Sequence, residues 1–374
     1  MIYFDNAATT FPKPLSVERR ASEVIRRWGG NPGRSAHSLS MAAEAEVFAC
    51  RSALAGLFGS APERVVFTYN TTYALNMAMK SLYKFGRILI SDLEHNSVRR
   101  PAAALTADLR TFDTHPELPD GDARTSAILA SIREQLPASL IVCTAASNVC
   151  GVTLPIRAIG ELCRKRNIPF IVDGAQAAGV LPLDVEADNI DILCVPGHKG
   201  LYGLQGSAAM IFSEHGVSLP RRTFIEGGNG VNSLEVTMPD FLPEHDEGGT
   251  LAVPAIAGLR AGIETLNIDA IRIHETSLFR RLRRHLERLG ERVTLYVPEW
   301  EGSILLFNIA GKSSAEVSGV LNKHGICVRS GFHCAPLAHK RLSTGTDGAV
   351  RVSFGRFNTV GEVDRLAEVL GTIR

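Results

Sequence analysis

A lysine lies in the glycine-rich segment Pro196-Gly197-His198-Lys199-Gly200, directly after the apolar run at 190–195. Glycine lets a ligand approach the backbone closely. A lysine withdrawn from water loses its proton readily enough to act as a nucleophile. The pattern therefore indicates a strand followed by a loop whose lysine could form a Schiff base with a carbonyl group. The alternative at this point is an ordinary surface lysine in a turn.

Upstream, the apolar run at 168–173 ends in Asp173, followed by Gly174-Ala175-Gln176. A carboxylate at the end of a neighbouring strand can pair with a protonated pyridine nitrogen, and this charge lets pyridoxal phosphate act as an electron sink. Asp173 could instead be a simple helix N-cap. The lysine downstream favours the cofactor site.

The elements that must position these residues alternate between strand and helix patterns from 65 to about 212, which predicts a mainly parallel sheet. In such sheets ligands bind at the carboxyl ends of the strands. Polar residues follow the predicted strands at these ends, namely Thr71, His95, Asn148, Asp173 and Lys199. The threonine at 71 could equally be a helix cap.

A second set of strand and helix patterns predicts a smaller α/β domain at the C-terminus. Its strands are expected at 293–297, 303–309, 326–329 and 349–354. We therefore expect an α/β protein with an arm at 1–14, a large domain at 15–250 and a small domain at 251–374. Arg34 and His37, in a glycine-rich loop after the first helix, are further ligand candidates.

Cys334 is the second reactive candidate, in the segment Arg329-Ser330-Gly331-Phe332-His333-Cys334-Ala335-Pro336. Positive neighbours such as Arg329 or a charged His333 would make a thiol more nucleophilic. Arg351 opens a later strand and is suited to clamp a carboxylate. The alternative is a buried structural cysteine with surface arginines.

The composition fits an ordinary globular enzyme. Of 374 residues, 45% are hydrophobic, and the formal net charge of +1 gives no reason to expect binding to nucleic acid or membrane. The seven cysteines show no metal-site spacing, and no signal peptide is visible, so we expect no metal and a cytoplasmic protein with reduced thiols.

Together these motifs resemble those of the cysteine desulfurase family, class V aminotransferase-fold enzymes among the fold-type I PLP proteins. The resemblance runs from Tyr3-Phe4-Asp5-Asn6 to Phe357-Asn358-Thr359, and the compact cysteine loop is similar to that of group II desulfurases and selenocysteine lyases. It implies a homodimeric enzyme that uses pyridoxal 5'-phosphate to convert L-cysteine to L-alanine. Selenocysteine lyase, or a non-catalytic sulfur carrier on the same fold, are the alternatives.

The resemblance also implies roles for individual residues. Lys199 would hold the cofactor, Asp173 would pair with its ring nitrogen and Gln176 with its phenolic oxygen, and His95 would stack on the ring and move protons. The phosphate would be bound by Thr71, Thr72 and His198, with Thr250 contributed by the second subunit.

For the substrate, Arg351 would bind the carboxylate, with Arg329 and Asn148 nearby. Cys334 would attack the substrate sulfur and pass a persulfide to an acceptor, which could be a protein. The chain departs from the family pattern at Tyr73, where glutamate is usual, and at Pro196, where a hydroxyl residue is usual.

Overall fold

The computed structural model describes residues 1–33, 35–297 and 299–373, so Arg34 lies outside the described residues. Helices and strands are numbered in chain order. Up to residue 218 they are β1 (Ile2–Tyr3), α1 (Leu15–Arg27), α2 (Ser38–Phe58), β2 (Val65–Thr68), α3 (Thr71–Leu82), β3 (Ile88–Ser91), α4 (Asn96–Leu105), β4 (Leu109–Phe112), α5 (Asp122–Glu134), β5 (Leu140–Thr144), α6 (Ile156–Arg166), β6 (Phe170–Asp173), β7 (Ile192–Pro196), β8 (Ala208–Phe212) and α7 (Glu214–Ser218). The rest are α8 (Val253–Ile263), α9 (Ile268–Glu287), β9 (Val293–Tyr296), β10 (Ile304–Ile309), α10 (Ser314–Lys323), β11 (Ile326–Cys327), β12 (Arg329–Gly331), α11 (Pro336–Arg341), β13 (Ala349–Ser353) and α12 (Val360–Thr372).

The large sheet has seven strands in the order β2-β8-β7-β6-β5-β3-β4. From β7 through β6, β5 and β3 to β4 every neighbouring pair is parallel, whereas β8 runs antiparallel to both β7 and β2. Because these strands are parallel, the carboxyl ends of β3, β5, β6 and β7 lie at one edge of the sheet. The predicted α/β fold with a mainly parallel sheet is confirmed.

Helices cover both faces of this sheet, because its central strands are apolar on both sides. Successive residues of β7 point to opposite faces. Ile192 packs in a cluster with α3 and α4, and Leu193 packs in a second cluster with α2, α6 and α8. Each such buried side chain contributes roughly 1.5–3 kcal/mol. This rigid sheet fixes the positions of the loops that follow its strands.

The smaller sheet is antiparallel, with four strands in the order β12-β13-β10-β9. It packs with α9, α10 and α12 around an apolar cluster of its own. The strand expected at 326–329 is divided, since β11 pairs with β1 whereas β12 pairs with β13. The proposed boundaries at 14 and 250 remain predictions.

The elements α4 and β4 are among those that were not predicted from the sequence, as are β1, α7 and α11. Helix α4 contains Arg99, Arg100 and Pro101, which obscure an apolar stripe. Strand β4 is an edge strand in which only Phe112 is fully buried, so it has no apolar run to detect. Within the described ranges, no helix has both the length and the apolar character to cross a bilayer.

The N-terminal arm joins the two sheets. Strand β1 adds in parallel to β11. The Asn6 side chain donates a hydrogen bond to the Ser353 carbonyl in β13 (3.1 Å), and the Thr10 hydroxyl donates to the His198 carbonyl (3.2 Å). The arm therefore contacts both the lysine loop and the strand that carries Arg351.

Candidate active site

A cavity of about 110 Å³ opens at the carboxyl ends of β3, β5, β6 and β7. It brings together most of the residues expected there from the sequence. Its lining includes Thr71, Thr72, His95, Asn148, Asp173, Gln176, His198 and Lys199, together with Asn70, Ser97, Thr144, Ala175 and Pro196.

Lys199 lines this cavity, and burial makes its amine easier to deprotonate than that of an exposed lysine. Burial lowers the pKa of Lys199 to about 8, and the neighbouring Asp173 carboxylate opposes this effect only in part. An amine with this pKa is a far better nucleophile at neutral pH than an exposed lysine. The surface-turn interpretation of Lys199 is therefore wrong.

Asp173 ends β6 and is buried at the base of the cavity. Its Oδ1 accepts a hydrogen bond from the Ala175 backbone N–H (2.9 Å), and no bond to Oδ2 is found among the described residues. Burial raises the pKa of Asp173, and the Lys199 charge opposes that rise. Asp173 thus makes a local cap-like bond and also keeps an oxygen for a cationic partner in the cavity.

The N-terminus of α3 forms another end of the cavity. Asn70 caps this helix by accepting a hydrogen bond from the Tyr73 N–H (2.9 Å), so the threonines are not the caps. In the described part of the chain the Thr71 and Thr72 N–H groups have no acceptor, and the buried Thr71 Oγ1 has no partner. Free N–H groups at a helix N-terminus are suited to an anion.

Two histidines flank the cavity and both are neutral at pH 7. Burial, reinforced by the Lys199 charge, lowers the pKa of His95 and of His198 to about 4. His95 is the N-cap of α4, and its Nδ1 accepts the Ser97 N–H (3.0 Å). The His198 Nδ1 lies 3.0 Å from Thr9 Oγ1 in the arm.

Gln176 also belongs to the cavity, and its amide donates to the Ala7 carbonyl (2.9 Å). Thr250 does not line this cavity; it lies exposed in a separate pocket beside Tyr69 and Tyr73. The other loop candidate, His37, is exposed and caps α2 by accepting the Ser40 N–H.

Arg351 in β13 is buried and oriented by two contacts. Its Nη2 lies 2.6 Å from the Asp5 Oδ1, and its Nη1 donates to the Asn148 carbonyl (2.8 Å). Its buried Nε has no partner in the described structure. Sequence reasoning missed Asp5, whose only signal is that it is the one acidic residue of the arm at 1–14.

The loop that carries Cys334 is attached to the rim of the cavity. The Asn96 N–H donates to the Cys334 carbonyl (2.7 Å), and the Asn148 side chain donates to the His333 carbonyl (2.8 Å). The Cys334 side chain is exposed, and Arg329 Nη2 lies 3.6 Å from its sulfur. His333 and Cys334 both have positive φ (50° and 57°), a strained backbone that the two anchors hold.

His333 is not the positive neighbour of Cys334 that the sequence suggested. Its ring is buried and stacked on His339, with the His333 Nδ1 2.9 Å from the His339 Nε2. Burial, together with the Arg351 charge, lowers the pKa of His333 to about 2. The cation beside Cys334 is Arg329.

The fold and this cavity are typical of a class of enzymes in which a lysine and a carboxylate, here Lys199 and Asp173, lie together at the carboxyl ends of neighbouring strands. The family model for aminotransferase class-V matches residues 2–366. A probable cysteine desulfurase of Methanothermobacter thermautotrophicus is 30% identical over 100% of this chain and 94% of its own length. One from Xylella fastidiosa strain 9a5c is 31% identical over 100% of this chain and 91% of its own.

Solved structures agree with these relatives. A cysteine desulfurase from Thermococcus onnurineus NA1 superposes with a TM-score of 0.87 at 29% identity, over 99% of this chain and 93% of that one. The chain belongs to the class-V aminotransferase family and, within it, to the cysteine desulfurases.

Proposed function

We propose that this enzyme is a pyridoxal 5'-phosphate-dependent cysteine desulfurase that converts L-cysteine to L-alanine and leaves a persulfide on Cys334. The observation that carries the proposal is the attachment of the exposed Cys334 loop, through Asn96 and Asn148, to the rim of the cavity that contains Lys199. An aminotransferase needs the lysine but has no use for a thiol there.

The cavity fits the cofactor at two positions. The Thr71 hydroxyl and the N–H groups of Thr71 and Thr72 suit its phosphate, because they have no hydrogen-bond partner in the described part of the chain, and His198 lies nearby. The Asp173 carboxylate suits its ring nitrogen, with Gln176 and His95 placed to contact the ring. When bound, this cofactor withdraws electrons from the Cα of an attached amino acid.

The residues around the cofactor would have different roles toward the substrate. Lys199, with its pKa lowered to about 8, would hold the cofactor and then move a proton at the substrate Cα. Arg351 would bind the substrate carboxylate, assisted by Arg329 and Asn148, because a guanidinium matches a carboxylate with two parallel hydrogen bonds.

The Cys334 thiolate would attack the substrate Sγ. A sulfur–sulfur bond forms as the Cβ–Sγ bond breaks, and the electron pair of that bond stays with Cβ, which takes up a proton to give alanine. The outer sulfur of the persulfide then passes to an acceptor, which an exposed side chain on a surface loop can reach.

The test is Cys334→Ala, with Cys327→Ala in β11 as the matched control. Alanine release from cysteine is measured for all three proteins, and mass spectrometry measures an added sulfur on Cys334 in the parent and in the control. We expect the Cys334→Ala protein to keep the absorption band of bound cofactor but to release alanine only at background level. The control should resemble the parent enzyme. Full desulfuration without Cys334 would refute the proposal, and loss of the cofactor band would show that Cys334 is structural.

The same proposal includes a homodimer, because Thr250 is exposed and outside the cavity of its own chain, as expected of a residue that serves a second subunit. It also includes a protein as a possible sulfur acceptor, and the cytoplasm as compartment, which suits seven unpaired cysteines.

A further inference from the structure

Three residues of the cavity form a hydrogen-bonded chain between the N-termini of α3 and α4. Thr72 Oγ1 lies 2.7 Å from Ser97 Oγ, and Ser97 Oγ lies 2.8 Å from His95 Nδ1. The Ser97 backbone N–H also donates to His95 Nδ1 (3.0 Å). Ser97 is buried and lines the cavity. The chain connects the N-terminus of α3 to the ring that flanks Lys199.

The contacts determine which group is the donor and which is the acceptor in each of these hydrogen bonds. A backbone N–H can only donate, so Nδ1 of His95 carries a lone pair, and the neutral ring has its proton on Nε2. Ser97 Oγ then faces an acceptor and must donate to Nδ1. Thr72 in turn must donate to Ser97 Oγ. The hydroxyl chain therefore runs from Thr72 through Ser97 to His95.

The two adjacent threonines, Thr71 and Thr72, were assigned the same role from the sequence, but their hydroxyl groups make different hydrogen bonds. The one hydroxyl proton of Thr72 is engaged by Ser97, whereas the buried Thr71 Oγ1 has no partner in the described chain. The Thr71 hydroxyl is therefore available to an anion at the N-terminus of α3, whereas the Thr72 hydroxyl acts on His95 through its hydrogen bond with Ser97.

We propose that Ser97 is a positioning residue that, supported by the Thr72 hydroxyl, holds His95 in the tautomer with the proton on Nε2. The Nε2–H group has no acceptor among the described residues, so it remains available to the cofactor and substrate. The inference rests on the proposed function, since it takes His95 to act beside the bound cofactor.

The experiment compares Ser97→Ala, Thr72→Val and Thr71→Val. The control is Ser81→Ala, which changes a buried serine of α3. Three quantities are measured. The first is the ¹⁵N resonance of His95 Nδ1 in protein without cofactor, assigned with His95→Gln. The second is the ratio of affinities for pyridoxal 5'-phosphate and for pyridoxal, which lacks the phosphate. The third is kcat with cysteine.

For Ser97→Ala we expect the Nδ1 resonance to move toward that of a ring nitrogen with fewer donors. For Thr72→Val we expect a smaller move in the same direction, because Ser97 still donates to Nδ1 but its hydroxyl is no longer oriented by Thr72. The affinity ratio should stay within about twofold, and kcat should fall about fivefold, the equivalent of one hydrogen bond of ~1 kcal/mol. Thr71→Val should instead lower the affinity ratio and leave the His95 resonance in place. Ser81→Ala should change none of the three.

An unchanged Nδ1 resonance in Ser97→Ala would overturn the inference, as would a loss of phosphate preference in Thr72→Val equal to that in Thr71→Val. The first two measurements do not depend on turnover. Absence of alanine release by the parent enzyme would therefore count against the proposed function and leave the test of Ser97 intact.

Discussion

At the scale of single residues, Arg351 shows how a neighbour prepares a side chain for its ligand. Asp5 and the Asn148 carbonyl hold its two terminal nitrogens, and Nε has no partner among the residues that the structure describes. A buried guanidinium without these contacts would be costly. The arm therefore stabilises the charge before any substrate carboxylate arrives.

Arg351→Lys should weaken substrate binding, because lysine keeps the charge but loses the planar pair of donors. Charge-assisted bonds of this kind contribute about 1.5–3 kcal/mol, so we expect KM for cysteine to rise about ten- to hundredfold with the cofactor band intact. Steady-state kinetics measure this. Arg281→Lys, which alters a surface pair with Asp364, is the control and should leave KM unchanged. An unaltered KM in Arg351→Lys would mean that the carboxylate is held elsewhere.

Lys199 gives a prediction about pH. The pKa of an ordinary lysine is 10.5, and burial lowers that of Lys199 to about 8. Only the neutral amine reacts with an aldehyde, so the rate of cofactor incorporation into cofactor-free protein should rise through about pH 8 and level off above it. Stopped-flow absorbance over pH 6–10 measures the midpoint. A rate still rising steeply above pH 9.5 would contradict the lowered pKa.

At the scale of elements, the N-terminus of α3 combines stability and binding. Its cap, Asn70, satisfies the Tyr73 N–H and so leaves the N–H groups of Thr71 and Thr72 for an anion.

Asn70→Ala should cost ~1 kcal/mol of stability, as for other lost N-caps. It should also reduce the affinity for pyridoxal 5'-phosphate, since the anion-binding turn frays. The matched control is Ser313→Ala, which removes the cap of α10 in the smaller sheet region. Thermal unfolding and cofactor titration are compared for the two variants. Equal losses of cofactor affinity in both would show that the effect is general destabilisation.

At the scale of the whole molecule, Glu275 of α9 is buried between the two sheets. It lines a space shared with Gln176, Lys199 and Tyr202, and no hydrogen bond to its carboxyl group is found among the described residues. Burial raises the pKa of Glu275 from 4.5 to about 8. The folded protein therefore holds this proton more tightly than the unfolded chain does.

The sign of the pH effect follows from this difference. Stability from a raised folded-state pKa is fully present below about pH 4.5 and is lost as pH rises through about 8. Glu275→Gln cannot ionise, so its Tm should exceed that of the parent protein more at pH 9 than at pH 6. Scanning calorimetry at both values measures this, with Glu291→Gln as an exposed control. A Tm difference independent of pH would show that Glu275 does not titrate between the two values.

The sequence by itself determined the α/β class, the strands that end at the cavity and the central pair Lys199 and Asp173. These depend on short-range patterns. A buried parallel strand needs an apolar run, and parallel strands must bring their carboxyl ends to one edge. Any polar residue directly after such a strand, such as His95 or Asn148, is thereby brought to the same place.

Only the tertiary structure decided the partners of those residues. Asp5 forms an ion pair with Arg351, although the two are far apart in the sequence. The His333 ring contacts His339 and not Cys334. Ser97 connects Thr72 to His95 by hydrogen bonds. Hydrogen bonds and ion pairs act over a few ångströms in space, whereas sequence periodicity reports only on which face of an element a residue occupies. Contacts between elements therefore depend on how the sheets, the arm and the Cys334 loop pack together.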